Sequence, residues 1–87
     1  MVKGTTTSGF EFEIDEKKVA DMRVIDAIVE VEDGSIGGVS KLLKLIMTPV
    51  QRASLYSHCT DVDGRVSIEK VSTEIFEIIQ YDGESKK

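Results

Sequence analysis

Between residues 10 and 14 the chain alternates apolar and acidic side chains, with Phe10, Phe12 and Ile14 set against Glu11 and Glu13. A period of two is that of a short strand with one buried face. Ser8 and Gly9 just ahead of it suit a tight turn, so residues 3–7 are expected to pair back as a hairpin. Asp15 follows as a helix cap and Glu16 sits where the helix dipole favours an acid. The pattern predicts one helix over residues 16–32, stopped by Asp33 and Gly34. Its face structure is unusual. Arg23, Asp26 and Glu30 form a narrow polar stripe, while Met22, Val24, Ile25, Ile28, Val29 and Val31 spread over most of the remaining circumference. Such a helix either lies at the centre of the fold, wrapped by the others, or carries a second apolar face for a partner. Met22, Ile25, Ile28 and Val29 are the candidate partner-binding residues, the partner being another protein or a second copy of this chain.

Gly34, Gly37 and Gly38 read as a flexible connection to a second helix over residues 39–47, in which Val39, Leu42, Leu43 and Ile46 share a face opposite Lys41 and Lys44. Thr48 is placed to cap a third helix over 49–59, with Pro49 at the first helical position and Gln51 positioned to bond back to the cap. Residues 61–65 interrupt the pattern, and Ser67 caps a last helix over 68–80. There Ile68, Val71, Ile75, Ile78 and Ile79 are expected to face inward with Phe76 at the edge, and Glu69, Lys70, Thr73, Glu74 and Glu77 to face water. Residues 81–87 are expected to form a polar tail. The expected fold is mainly α: a single small domain over residues 1–87, ordered over about 8–80, with about four helices and a short N-terminal β-strand or hairpin.

Composition narrows the classes. A chain of 87 residues supports one core and not two. The formal charge is -5, from 16 acids against 11 bases, and the bases are scattered, which disfavours nucleic acid as a partner. No stretch approaches the roughly 20 apolar residues that cross a bilayer, and no apolar run near the start resembles a secretory signal. One cysteine excludes an internal disulfide. The expected setting is the cytoplasm, with no membrane partner.

Chemistry-bearing motifs are few. Residues 59–70 read CTDVDGRVSIEK, and with Gly64 at the glycine position of an EF-hand loop, Asp61, Asp63 and Val66 fall in register. The first ligand position then holds Cys59 and the last holds Lys70, a thiol and an ammonium where calcium needs carboxylates. A turn serves these letters better: the aspartates accept backbone N–H bonds, Gly64 takes positive φ, Val66 staples and Ser67 caps the helix that follows. His58 and Cys59 are adjacent, so on a helix they point roughly 100° apart and do not form a thiolate-imidazole pair. They read as a surface histidine and a small buried hydrophobe. Glu11, Glu13, Asp15 and Glu16 serve solubility and capping, and neither a glycine-rich phosphate loop nor a nucleophile elbow is present. No catalytic residue, metal or cofactor is expected.

Several phrases together resemble a known family. SGFEFEID (residues 8–15), VIDAIVEVEDG (24–34), the short central helices and the D-x-DGRV turn (61–66) before a final amphipathic helix are similar to the small tail assembly chaperones of long-tailed phages and prophages of Gram-positive bacteria. The similarity covers about residues 8–80. It implies a non-enzymatic protein of the bacterial host cytoplasm that binds the tape-measure protein and keeps it soluble until tail tubes polymerise around it. It also implies a longer form made by programmed frameshift, with Ser85, Lys86 and Lys87 suggesting A-rich codons. The competing expectation is a small acidic regulatory module, or another phage morphogenesis factor, that binds a protein partner.

Overall fold

The alternation at the N-terminus builds a two-stranded antiparallel hairpin, β1 (Val2–Thr5) with β2 (Glu11–Ile14), in which Val2 lies opposite Ile14 and Gly4 opposite Phe12. The computed structural model describes residues 2–80, and the expected polar tail with its Ser85, Lys86 and Lys87 lies outside them. Five helices follow: α1 (Glu16–Val19), α2 (Met22–Glu32), α3 (Gly37–Ile46), α4 (Pro49–His58) and α5 (Ile68–Gln80). The mainly helical fold with an N-terminal hairpin is the one the hydrophobic pattern predicts. Phe10, just ahead of β2, and Phe12 and Ile14 of its inner face join Leu42, Leu43, Ile46, Leu55, Ile75 and Ile78 in one core. Each such side chain, fully withdrawn from water, contributes roughly 1.5–3 kcal/mol.

Two expectations about helix boundaries are corrected. The single helix over 16–32 is two helices, because Asp21 leaves helical geometry (φ -77, ψ 133) and caps α2, accepting a bond from the Arg23 N–H at 2.9 Å. Asp15 caps α1 in the same way through Lys17. The flexible connection is also shorter than expected. α2 closes with a Schellman pattern, Gly34 N–H to Val31 C=O and Ser35 N–H to Glu30 C=O, and α3 already begins at Gly37. Gly38 is buried inside α3, at the most extensive helix contact of the fold.

Gln51 is a third correction. Its backbone N–H donates to Thr48 Oγ1 at 3.2 Å, as a helix start should, but its side chain does not return to the cap. Its amide nitrogen donates to Glu13 C=O and its amide oxygen accepts from Glu13 N–H, so one side chain takes both backbone groups on the open edge of β2. The hairpin is thereby fastened to the start of α4.

Candidate partner-binding surface

Turning the sequence of α2 around its axis places Val24 and Ala27 against the core, where both are fully buried. Met22, Ile25 and Val29, at spacings of three and four, lie on the solvent side and remain 66%, 48% and 48% exposed. The helix therefore has two apolar faces separated by the polar residues Arg23, Asp26 and Glu30. Ile28 does not share the outer face; it is half-buried and packs against the core from the flank. Of the four candidate residues, three are brought together on one open ridge. The ridge is held in place by the Asp21 cap at one end and by a bond from Lys41 of α3 to Glu30 at 2.9 Å.

A second apolar feature was not foreseen. A shallow groove of about 240 Å³ is lined by Ile36, Val39, Leu43, Tyr56, Val66, Ile68 and Val71, where α3, α4 and the start of α5 meet. Ile68, expected to face inward, is 58% exposed at its rim. Placed at the first position of α5, Ile68 has no preceding turn to bury it. Val66 and Val71, the residues just before the Ser67 cap and four after it, line the same groove.

The loop over residues 61–65 is a turn. Asp61 N–H bonds Arg65 C=O at 2.7 Å, Gly64 N–H bonds Asp61 C=O at 3.0 Å, and Gly64 takes φ +88. The hairpin turn repeats the device with the same pattern of bonds from Thr6 to Phe10 and with Gly9 at φ +97. Asp63 accepts from Arg65 N–H, and Ser67 Oγ accepts from Lys70 N–H at 3.1 Å as the cap of α5. Lys70, the residue that occupies the last EF-hand ligand position, reaches across to Asp61 Oδ1 at 2.8 Å. Its ammonium thus sits on the carboxylate that calcium would use, and that bond raises the Lys70 pKa. Among the described residues, no group of three or more His, Cys, Asp or Glu is arranged to hold a metal ion.

Glu74 is a polar residue on the buried face of α5. Expected to face water, it is 5% exposed, and its carboxylate accepts from Thr6 Oγ1 at 2.6 Å and from Ser8 Oγ at 2.7 Å. Ser8 Oγ also meets His58 Nε2 at 2.9 Å, and Glu77 accepts from both the N–H and the hydroxyl of Thr7. Serine, histidine and carboxylate are in one cluster, but in the wrong order for a nucleophile relay. The carboxylate bonds the serine and not the imidazole, and with the single Ser8 proton directed to Glu74, His58 Nε2 is the donor to Ser8. The cluster clasps the hairpin turn to α5. Val71, Glu74 and Ile78 fall on one helical stripe, which was the available signal that Glu74 points inward.

Cys59 caps the end of α4 and is buried, as expected, and burial pushes its thiol pKa up, with the Glu74 charge adding to the effect. His58 is exposed. No helix among the described residues is long and apolar enough to cross a membrane. No family model, curated protein or solved structure matches the chain.

Proposed function

We propose that this protein is a non-enzymatic tail assembly chaperone that works in the bacterial host cytoplasm, binding the tape-measure protein of a long-tailed phage or prophage and keeping it soluble during assembly. One observation carries the reading: the ridge of Met22, Ile25 and Val29 holds three large apolar side chains in water on a helix whose opposite face is already buried. An apolar stripe at helical spacing is the surface that docks an amphipathic helix of a client. The acidic balance of the chain, -5 overall, favours solubility of a complex with an aggregation-prone client. The resemblance of the SGFEFEID, VIDAIVEVEDG and D-x-DGRV phrases to tail assembly chaperones supplies the identity of that client.

Co-expression of the protein with fragments spanning a tape-measure protein tests this directly. At least one fragment is expected to move from the insoluble to the soluble fraction and to be retained in a pull-down. Ile25→Asp and Val29→Asp, each checked for an unchanged circular dichroism spectrum, should release it. Failure to rescue any fragment would sink the reading, and retention by folded variants would move the binding face elsewhere. A gene position between a major tail protein and a very long tape-measure gene is the expected genomic setting.

A further inference from the structure

The charges at the C-terminal end of α2 run against its dipole. The positive end of a helix favours acids and the negative end favours bases. Asp21 sets a carboxylate at the N-cap of α2, as the dipole favours, but the last turn has no base and Glu32 there is followed by the C-cap Asp33. Asp21 is neutralised by Arg23 and Glu30 by Lys41. Asp26 and Glu32, by contrast, are exposed and carry no ion pair among the described residues. On the helical wheel Asp26 lies on one side of the Met22, Ile25 and Val29 ridge and Glu32 on the other. An apolar stripe edged on both flanks by open carboxylates, of which Glu32 stands against the helix dipole, is complementary to an apolar stripe edged by cations.

We infer that the ridge takes an amphipathic helix whose apolar face is flanked by lysine or arginine. This rests on the proposed reading that the ridge is the client surface, and adds the charge character of the segment it selects. The apolar contacts supply the attraction and the carboxylates supply selection and orientation, since charge complementarity at an interface rim governs specificity and encounter more than affinity. A local rule broken in the free protein is repaired in the complex, where the client's cations meet the acidic C-terminal end of α2.

The test uses the full chain and two synthetic helical peptides that share one leucine face, one flanked by lysines and the other by glutamates. The lysine peptide is expected to bind at least about tenfold tighter at low salt, with the difference shrinking as ionic strength rises. Ile25→Asp should abolish binding of both peptides. Glu32→Lys should weaken the lysine peptide by about threefold to tenfold and raise the melting temperature of the free protein by about 2–6 °C, the paired signature of a charge kept for binding and not for folding. Glu11→Lys makes the same net change on the hairpin, outside α2 and its ridge, and should alter affinity by less than about twofold. Equal affinity for the two peptides, binding of neither, a Glu11→Lys effect as large as that of Glu32→Lys, or a self-associated protein that becomes monomeric on Ile25→Asp would each overturn the inference. Rescue of tape-measure fragments alongside equal peptide affinities would leave the chaperone reading standing and remove only the cationic flank. Selective lysine-peptide binding without rescue of any fragment would do the reverse.

Discussion

Gly38 lies so close to Val31 that a Cβ added to it would fall 2.8 Å from Val31 Cγ2 and 3.0 Å from both the Val31 nitrogen and the Ala27 carbonyl oxygen. Two of those three atoms are backbone and cannot swing away. Replacing glycine by alanine within a helix usually stabilises by up to about 1 kcal/mol, but here the new methyl would force α3 away from α2. Overpacking of that kind costs about 1–3 kcal/mol, so Gly38→Ala should destabilise the protein by up to about 2 kcal/mol net. Gly37, whose added Cβ would meet only Ser35 Oγ at 3.8 Å, is the control. Gly37→Ala should be neutral or stabilising in urea denaturation. A stabilised Gly38→Ala variant would show that the two helices are not in close contact.

The clasp at Glu74 joins residues 6 and 8 of the hairpin turn to α5 through two charge-assisted bonds. Glu74→Ala should therefore cost about 2–3 kcal/mol, because two hydroxyls lose a charged acceptor and one of them, on Thr6, is buried. Glu77, which accepts from the exposed Thr7, should cost less, within about 1 kcal/mol. Hydrogen exchange should quicken first in residues 2–14 of Glu74→Ala; uniform loss of protection across all helices would argue against a local clasp.

Asp21 titrates low because the Arg23 guanidinium, with its backbone N–H, holds the carboxyl at about 2, below its ordinary 3.8. A depressed acid stabilises the fold above its unfolded pKa and loses that contribution as the pH falls through the folded value. The cap of α2 should thus be intact at neutral pH and weaken between about pH 4 and pH 2. Carboxyl NMR of Asp21 should show a midpoint near 2 in the wild type, moving up towards the ordinary value in Arg23→Ala. No movement would mean that the pair is not formed in solution.

Cys59 is buried at the end of α4 with its thiol pKa raised by burial. Since the thiolate is the reacting species, both access and ionisation oppose modification. Labelling by a thiol reagent at pH 8 should be slow in the native protein and accelerate with denaturant in step with global unfolding. Rapid labelling of the native protein, with the circular dichroism unchanged, would contradict the burial.

What the sequence made legible follows from the range of the physics involved. The hairpin, the α4 start at Thr48 and Pro49 and the Ser67 cap are local, written in side chains a few residues apart, and the structure has them where the pattern places them. The same holds for the turn at residues 61–65, although no spacing rule foretold that Lys70 would turn back to Asp61. Two of the misses are long-range. Gln51 prefers the edge of β2, 38 positions away in sequence, to its own helix cap, and Glu74 is recruited by hydroxyls 66 and 68 positions away. Such partners are invisible to periodicity. The break at Asp21 is different: an aspartate that accepts from the N–H two residues on is a local signal, set between Val19, Ala20 and Met22, whose apolar side chains equally suit an unbroken helix.

The turn at residues 61–65 should be indifferent to calcium. Lys70 already occupies the Asp61 carboxylate, and the Asp63 side chain is committed to the Arg65 N–H. A site with a dissociation constant of about 10 mM or weaker would stabilise the fold by less than about 0.1 kcal/mol at 1 mM calcium. Millimolar calcium should leave the melting temperature and the Asp61 to Ser67 amide resonances unmoved. Saturable amide shifts in that loop would reopen it as a metal site.

The two faces of α2 make opposite predictions for substitutions only two residues apart. Ala27 is fully buried against α3, so Ala27→Asp places an unpaired charge in the core and should unfold the domain or cost about 4 kcal/mol or more. Ile25→Gln and Val29→Gln replace side chains already half in water, and each should cost no more than about 1 kcal/mol. The pair should also raise the concentration at which the free protein begins to aggregate, because exposed apolar surface is removed. Guanidinium unfolding curves of the three variants separate the alternatives for this helix. Were Ile25→Gln as damaging as Ala27→Asp, α2 would be wrapped on all sides and the ridge would not exist in solution; near-wild-type stability with lower aggregation leaves a surface free for a client.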